Sequence, residues 1–142
     1  MLVRCLYASR PTEPFSASVV DTILGQSRRN NPTRGITGLL CFTNNVFVQV
    51  LEGGRDEVCD LFNSIVGDDR HSNVRILIFE EIAERIFGRW TMGRVDIART
   101  NQALLLKYSE KADLNPFMSS GRATMALLNE LVASGSIESR GH

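Results

Sequence analysis

The chain has 142 residues, enough for one domain with a proper core and too few for two ordinary ones. It is 43% hydrophobic and 23% charged, with 16 basic and 16 acidic residues and a formal net charge of zero. That balance argues against a nucleic-acid module, which usually carries a basic excess on one face.

Leu2 to Ser9 alternates and is rich in apolar residues, so it reads as a strand ended by Arg10-Pro11. Ser16 is placed to cap a helix that carries Val19, Val20, Ile23, Leu24 and Ser27 along one stripe. Asn30-Asn31-Pro32 is expected to stop it, because a residue before proline is pushed out of the α region. Gly35 to Phe42 and Val46 to Leu51 flank the polar turn Thr43-Asn44-Asn45 and read as a hairpin. Gly38 within it lets another backbone come close. Gly53-Gly54 ends the hairpin and opens a second helix, with Val58, Leu61, Phe62 and Ile65 at helical spacing. Asp68 to Asn73 is a polar loop, and Val74 to Glu81 is the fourth strand. After Phe87-Gly88, Arg89 to Ile97 is a weaker fifth.

The order is β-α-β-β-α-β with one strand added: an α+β fold of the ferredoxin-like, split βαβ kind, with both helices on one sheet face. Beyond Thr100, Leu104, Leu105, Leu106 and Tyr108 suggest a short helix that ends near Asn115-Pro116. Ser119 or Ser120 caps another, with Ala123, Leu127, Leu128, Leu131 and Val132 on one stripe, ending at Gly135. These two amphipathic helices are expected on the free face of the sheet, with a partner subunit as the alternative. Residues 1–97 therefore read as one domain and 98–142 as a helical extension without independent standing. Ser136 to His142 is expected to fray.

Cys5, Cys41 and Cys59 are widely separated, and the histidines are His71 and His142 alone. No zinc-type spacing exists, so no metal is expected, and the thiols read as small apolar residues in a reducing compartment. No secretory h-region follows Met1 and no apolar run approaches ~18 residues, so the expected location is cytoplasmic.

Strand alternation sorts the candidate functional side chains. Tyr7 shares a face with Cys5 and Val3, and Gln49 shares one with Phe47 and Leu51. Trp90 and Met92, two apart in the fifth strand, are expected to project the same way. A phenol, a primary amide, an indole and a thioether on one face are poorly suited to hydrolysis. They can exchange an electron, a proton and hydrogen bonds with an aromatic ligand, which favours a sensor.

Five segments carry a more specific signal: Tyr7 in R-C-L-Y-A-S-R, N-N-P-T-R-G-I-T-G-L-L from Asn30, F-V-Q-V-L-E-G ending at Gly53, R-H-S-N-V from Arg70, and R-W-T-M from Arg89. Together, in this order over about the first 97 residues, they resemble a BLUF domain, the family of blue-light receptors using FAD. The tail carries no recognisable output domain, so the chain is similar to the short, stand-alone members.

The resemblance implies a flavin ring held between the two helices, upright on the sheet. Gln49 is then the switch, since a primary amide both donates and accepts and can exchange the two ends. Tyr7 is the electron and proton donor to the photoexcited ring. Asn31, with Asn30 as a second contact, bonds the ring's polar pyrimidine edge. Ile23, Asp68 and His71 lie near the ring and its ribityl chain. Arg28 or Arg29 reaches the diphosphate, or else simply suits the negative end of the first helix. Ser9, on the Tyr7 face, touches the ring's surroundings. Trp90 and Met92 form the output, and the sequence does not choose which of them lies against the flavin.

The implied cofactor is FAD, with FMN or riboflavin as alternatives. The implied partners are flavin and an unidentified downstream protein, with no direct nucleic-acid or membrane contact, and a homodimer stands beside the monomer. The implied protein is a photoreceptor and not an enzyme. Two rivals remain at this level: an acylphosphatase-like hydrolase using Asn31 and Arg34, and a flavin-free interaction module acting through the C-terminal helices.

Overall fold

A computed structural model of the chain describes residues 1–12, 17–135 and 137. Its elements are β1 (Leu2–Pro11), α1 (Ala17–Arg34), β2 (Thr37–Phe42), β3 (Phe47–Gly54), α2 (Arg55–Val66), β4 (His71–Ile82) and β5 (Gly93–Asp96). A 3-10 turn (Ile97–Arg99), α3 (Gln102–Tyr108) and α4 (Gly121–Ser134) follow. The expected cap at Ser16 and the expected fraying of Ser136–His142, Ile137 apart, lie outside the described residues.

The five strands form one sheet in the order β4-β1-β3-β2-β5. Every neighbouring pair is antiparallel except β2 with β5. β1 and β3 lie at its centre and are buried on both faces, which is why they read as near-continuous apolar runs. The sheet divides the core in two. On one face Val3, Cys5, Tyr7, Leu40, Phe47, Leu51 and Met92 pack under Val20, Ile23 and Leu24 of α1 and Val58 of α2. On the other, Leu6, Ala8, Leu39, Val48, Val50, Phe87 and Trp90 pack under Leu105 of α3 and Leu127, Leu128 and Leu131 of α4. Each of those leucines contributes about 1.5–3 kcal/mol by leaving water. The expected α+β arrangement, with two helices on each face, is the observed one.

Several boundaries differ from expectation. α1 runs through Asn30-Asn31-Pro32 and ends only at Arg34. Proline removes its own N–H bond, a small loss in a last turn, and the stop is supplied by Gly35 at φ +67°. Gly35 N–H donates to the Pro32 carbonyl (3.3 Å) and Ile36 N–H to the Asn31 carbonyl (3.0 Å), the two bonds of a Schellman cap. β4 begins at His71 rather than Val74, because His71 and Ser72 pair with Pro11 and Arg10 of a β1 that is itself longer than expected. β3 continues through Gly53-Gly54, and α2 starts at the next residue.

β5 is much shorter than Arg89–Ile97: Trp90 and Met92 precede it, in the connector from β4. α3 stops at Tyr108, where Ser109 turns extended, well before Asn115-Pro116. Of the two candidate caps for α4 it is Ser120 whose hydroxyl accepts from Ala123 N–H, at 3.0 Å. Gly135, left-handed at φ +71°, ends that helix as expected.

Candidate functional site

Tyr7 and Gln49 stand directly opposite each other in the β1–β3 ladder. Both side chains point to the α1/α2 face, where the Tyr7 hydroxyl donates to Gln49 Oε1. The Gln49 Nε2 group donates in turn to Met92 Sδ at 3.4 Å. All three residues are buried: Tyr7 is 1% exposed, Gln49 4% and Met92 0%. Burial pushes the Tyr7 phenol well above its ordinary range, with smaller contributions from neighbouring Cys5 and Asp68, so it keeps its proton at neutral pH. The Phe62 ring of α2 meets Tyr7 edge-on, 5.5 Å between centroids, and restricts its tilt.

Tyr7 and Gln49 form the floor of a cleft of about 320 Å³ between α1 and α2. One wall is the α1 stripe Ile23, Gln26, Ser27, Asn30, Asn31 and Arg34, and the other is Leu61, Ser64 and Ile65 of α2. Asp68, Arg70 and His71 close one end. Seven of the eight residues expected at the cofactor thus line this one cavity: Tyr7, Ile23, Asn30, Asn31, Gln49, Asp68 and His71.

Arg28 does not line it, and neither does Arg29. At 100° per residue each sits about 130° from the middle of the Ile23–Arg34 stripe, one on either side. The basic residues that reach the cleft are Arg34 and Arg70. Arg70 carried no role in the sequence reading, although Asp68, two residues earlier, was a usable signal. Its guanidinium holds Asp68 through Nε (3.0 and 3.1 Å) and Nη2, and Nη2 also donates to Gln26 Oε1 of α1 at 2.9 Å. That bond to Arg70 keeps the Asp68 carboxyl below its usual range. Leu61 and Ile65 were expected only as core; one turn apart on α2, they supply the apolar side of the cleft.

Asn31 is 1% exposed and lines the cleft. Its Nδ2 donates to the Thr91 carbonyl at 2.9 Å, so it ties α1 to the connector between Trp90 and Met92. His71 is held by Ser9 Oγ, 2.8 Å from Nδ1, and stacks at a tilt on Phe47. Burial lowers the His71 pKa, with Arg70 acting the same way and Asp68 against it.

Trp90 and Met92 do not project the same way. Met92 packs on the cleft face and Trp90 on the face of α3 and α4. Strand alternation does not govern them because neither is in a strand. The Trp90 carbonyl accepts from Gly38 N–H (3.1 Å) and the Thr91 carbonyl from Asn31, so the chain between the two side chains is held beside β2 and α1 just before β5 begins.

A larger cavity, about 570 Å³, lies by the β2–β3 turn and the start of α3. It is lined by loop polar groups such as Asn45, Asp96 and Asp113 and contains none of the redox-capable or amide groups above. Burial pushes the thiols of Cys5 and Cys41 up to about 12, with Cys59 adding to the shift at Cys5, so neither offers a thiolate. Among the described residues no group of three or more His, Cys, Asp or Glu side chains could hold a metal.

Residues 2–93 match the family model BLUF, described as sensors of blue-light using FAD. The chain belongs to the BLUF family. It is 35% identical over 92 residues to the photoactivated adenylate cyclase subunit beta of Euglena gracilis, covering 64% of this chain and 11% of that protein. It is 28% identical over 97 residues to the blue light- and temperature-regulated antirepressor BluF of Escherichia coli (strain K12), covering 68% and 24%. The chain therefore spans about a tenth of the cyclase subunit and a quarter of the antirepressor.

Two solved structures are similar over nearly their whole length. BlsA in its photo-activated state superposes with a TM-score of 0.84 at 33% identity, covering 100% of both chains. The dark-state structure of BlrB, a BLUF protein, gives 0.76 at 30% identity, covering 94% of this chain and 96% of that one. A BLUF domain is a flavin-binding light sensor and is not itself catalytic, which displaces the acylphosphatase-like reading. Among the described residues no helix is long and apolar enough to cross a membrane.

The residues of the cleft fit a flavin. Ile23, Leu61 and Ile65 line the cleft with apolar surface, and Asn30, Asn31, Gln49 and His71 line it with polar groups, a mixture that would suit a flat ring with a polar edge. A volume of about 320 Å³ is at the lower end for small-molecule sites. A flat aromatic ring system would fit within such a volume.

Proposed function

We propose that this protein is a blue-light photoreceptor in which Tyr7 and Gln49 perform the primary event and Met92 reads it out. The hydrogen-bonded series Tyr7–Gln49–Met92 on the floor of the cleft is the observation that carries this reading. Bound flavin supplies the absorption of blue light and an excited ring able to accept an electron.

Tyr7 would be the donor of an electron and a proton to such a ring, its bond to Gln49 Oε1 offering the proton a path through the amide, and both would return to Tyr7, so nothing would be consumed. What remains is Gln49 with its donor and acceptor ends exchanged, by rotation or tautomerisation. In the starting arrangement both ends are engaged, the oxygen by Tyr7 and the nitrogen by Met92. Rotation of the amide presents Oε1 to the Met92 sulfur, which cannot donate, so that contact is lost. Met92 is thereby released from Gln49.

Asn31 and Asn30 would hold the polar edge of the ring, and Arg34 and Arg70 are the cations that line the cleft. FAD is the cofactor, with FMN or riboflavin also compatible because the contacts centre on the ring. The signal passes from Met92 through the connector to Trp90, and from Trp90 to α3 and α4. A downstream protein then responds to these helices. Illumination of the flavin-loaded protein with blue light tests the reading. A red shift of the absorption band that reverses in the dark supports it, and a spectrum unchanged by light refutes it.

A further inference from the structure

Glu52 is 0% exposed, on the sheet face opposite the cleft, three residues beyond Gln49 on the same strand. A carboxylate removed from water is costly unless its oxygens are fully engaged. Here they are. Arg4 of β1 donates to Oε2 through Nε at 2.8 Å, with Nη2 2.6 Å from the same oxygen. The remaining partners come from the β4–β5 connector: Phe87 N–H donates to Oε1 at 2.7 Å and Ile86 N–H to Oε2 at 3.2 Å. Arg85 secures the same stretch from outside, its Nη1 donating to Thr37 Oγ1 (2.9 Å) and to the Glu52 carbonyl (3.3 Å).

We infer that Glu52 is the positioning residue for the signalling connector: its carboxylate fixes the backbone at Ile86–Phe87 and thereby sets where Trp90 and Met92 lie. The inference rests on the proposed role of Met92 for its functional meaning, but its geometry stands without it. Strand β3 thus holds Gln49 against Met92 on one face and Glu52 against the start of the same connector on the other. Between them the connector is tied to other elements by the Trp90 carbonyl, which accepts from Gly38, and the Thr91 carbonyl, which accepts from Asn31. A displacement at Met92 therefore pivots on a fixed point five residues upstream, and Trp90 lies between.

Every group around the Glu52 carboxylate is a donor, so Gln cannot replace it. The amide nitrogen of Glu52→Gln would face an N–H, and at least one backbone bond of the connector would be lost. Trp90 is the sole tryptophan, so its fluorescence reports the connector alone. The test uses the full chain in the dark, with and without FAD, and reads the Trp90 emission maximum and its quenching by acrylamide. Glu80→Gln, which neutralises the second partner of Arg4 but touches no connector atom, is the control.

Glu52→Gln is expected to shift the emission to the red and raise the quenching, with Glu80→Gln matching the parent. Parent-like Trp90 signals in a folded Glu52→Gln protein would overturn the assignment. Where Glu52→Gln does not fold, Arg85→Gln decides on the same readout, with increased exposure expected and a parent-like signal overturning it. A parent protein without a light-induced shift would remove the photoreceptor reading and leave the Trp90 result intact.

Discussion

The Tyr7 hydroxyl and the Gln49 carbonyl oxygen meet because the two residues are direct neighbours in the β1–β3 register, on the buried face below α1 and α2. A pair held by two central strands has little freedom: each backbone is fixed by ladder bonds, and Phe62 packs against the phenol. The Gln49 amide and the Met92 side chain are the parts of this series able to turn without moving a strand.

Met92→Leu separates volume from chemistry. The swap keeps the bulk of a fully buried side chain, so it is expected to cost less than about 1.5 kcal/mol. It removes the sulfur that accepts from Gln49 Nε2. Urea unfolding should show the small loss, while the dark return of the light-induced spectrum changes rate. An unchanged rate would detach Met92 from the event.

Flavin retention should follow the cleft wall. Asn31→Ala removes a buried amide that lines the cavity and holds the Thr91 carbonyl, so flavin affinity should fall. Arg28→Ala, off the lining stripe, should leave the affinity near that of the parent. Equilibrium titration with FAD checks both, and a large loss in Arg28→Ala alone would contradict the placement.

Gly38 has no room for a side chain. A Cβ there would lie 1.9 Å from the Val50 carbonyl oxygen, which is strand backbone and cannot step aside. Gly38→Ala should cost about 1–3 kcal/mol or more, as overpacking does. Since Gly38 N–H also holds the Trp90 carbonyl, Trp90 fluorescence should change together with the thermal midpoint.

His71 and Asp68 set a pH dependence at one end of the cleft, beside Arg70. Burial holds the folded His71 pKa below its usual 6.5, so the unfolded chain takes up the proton first. Stability from this group is full above 6.5 and declines as pH falls through that value toward the folded pKa. Asp68, lowered mainly by its bond to Arg70, contributes in the opposite region: its share is present above the ordinary carboxylate range and disappears only as pH falls through its own lower pKa. Thermal midpoints from pH 7.5 to 5 should therefore drop less in His71→Gln than in the parent.

What was legible in the sequence was whatever depends on local pattern. Alternation placed Tyr7 with Cys5 and Gln49 with Leu51 on the correct face, and the stripe Leu127, Leu128, Leu131 brought α4 to the sheet. What was not legible depends on partners far along the chain. Trp90 and Met92 diverge because Gly38 and Asn31 seize successive carbonyls between them, a contact across more than fifty residues. Asn-Asn-Pro failed to end α1 because the decisive residue was Gly35, whose left-handed backbone completes the cap. Arg70 was overlooked because its value lies in bridging Asp68 to Gln26 on another element.

The most direct test of the account is the light-minus-dark absorption spectrum of flavin-loaded Tyr7→Phe beside the parent. Phenylalanine keeps the ring against Phe62 and removes the hydroxyl that donates to Gln49. Flavin should remain bound and the reversible red shift should disappear. A Tyr7→Phe protein that shifts under blue light like the parent would contradict the account.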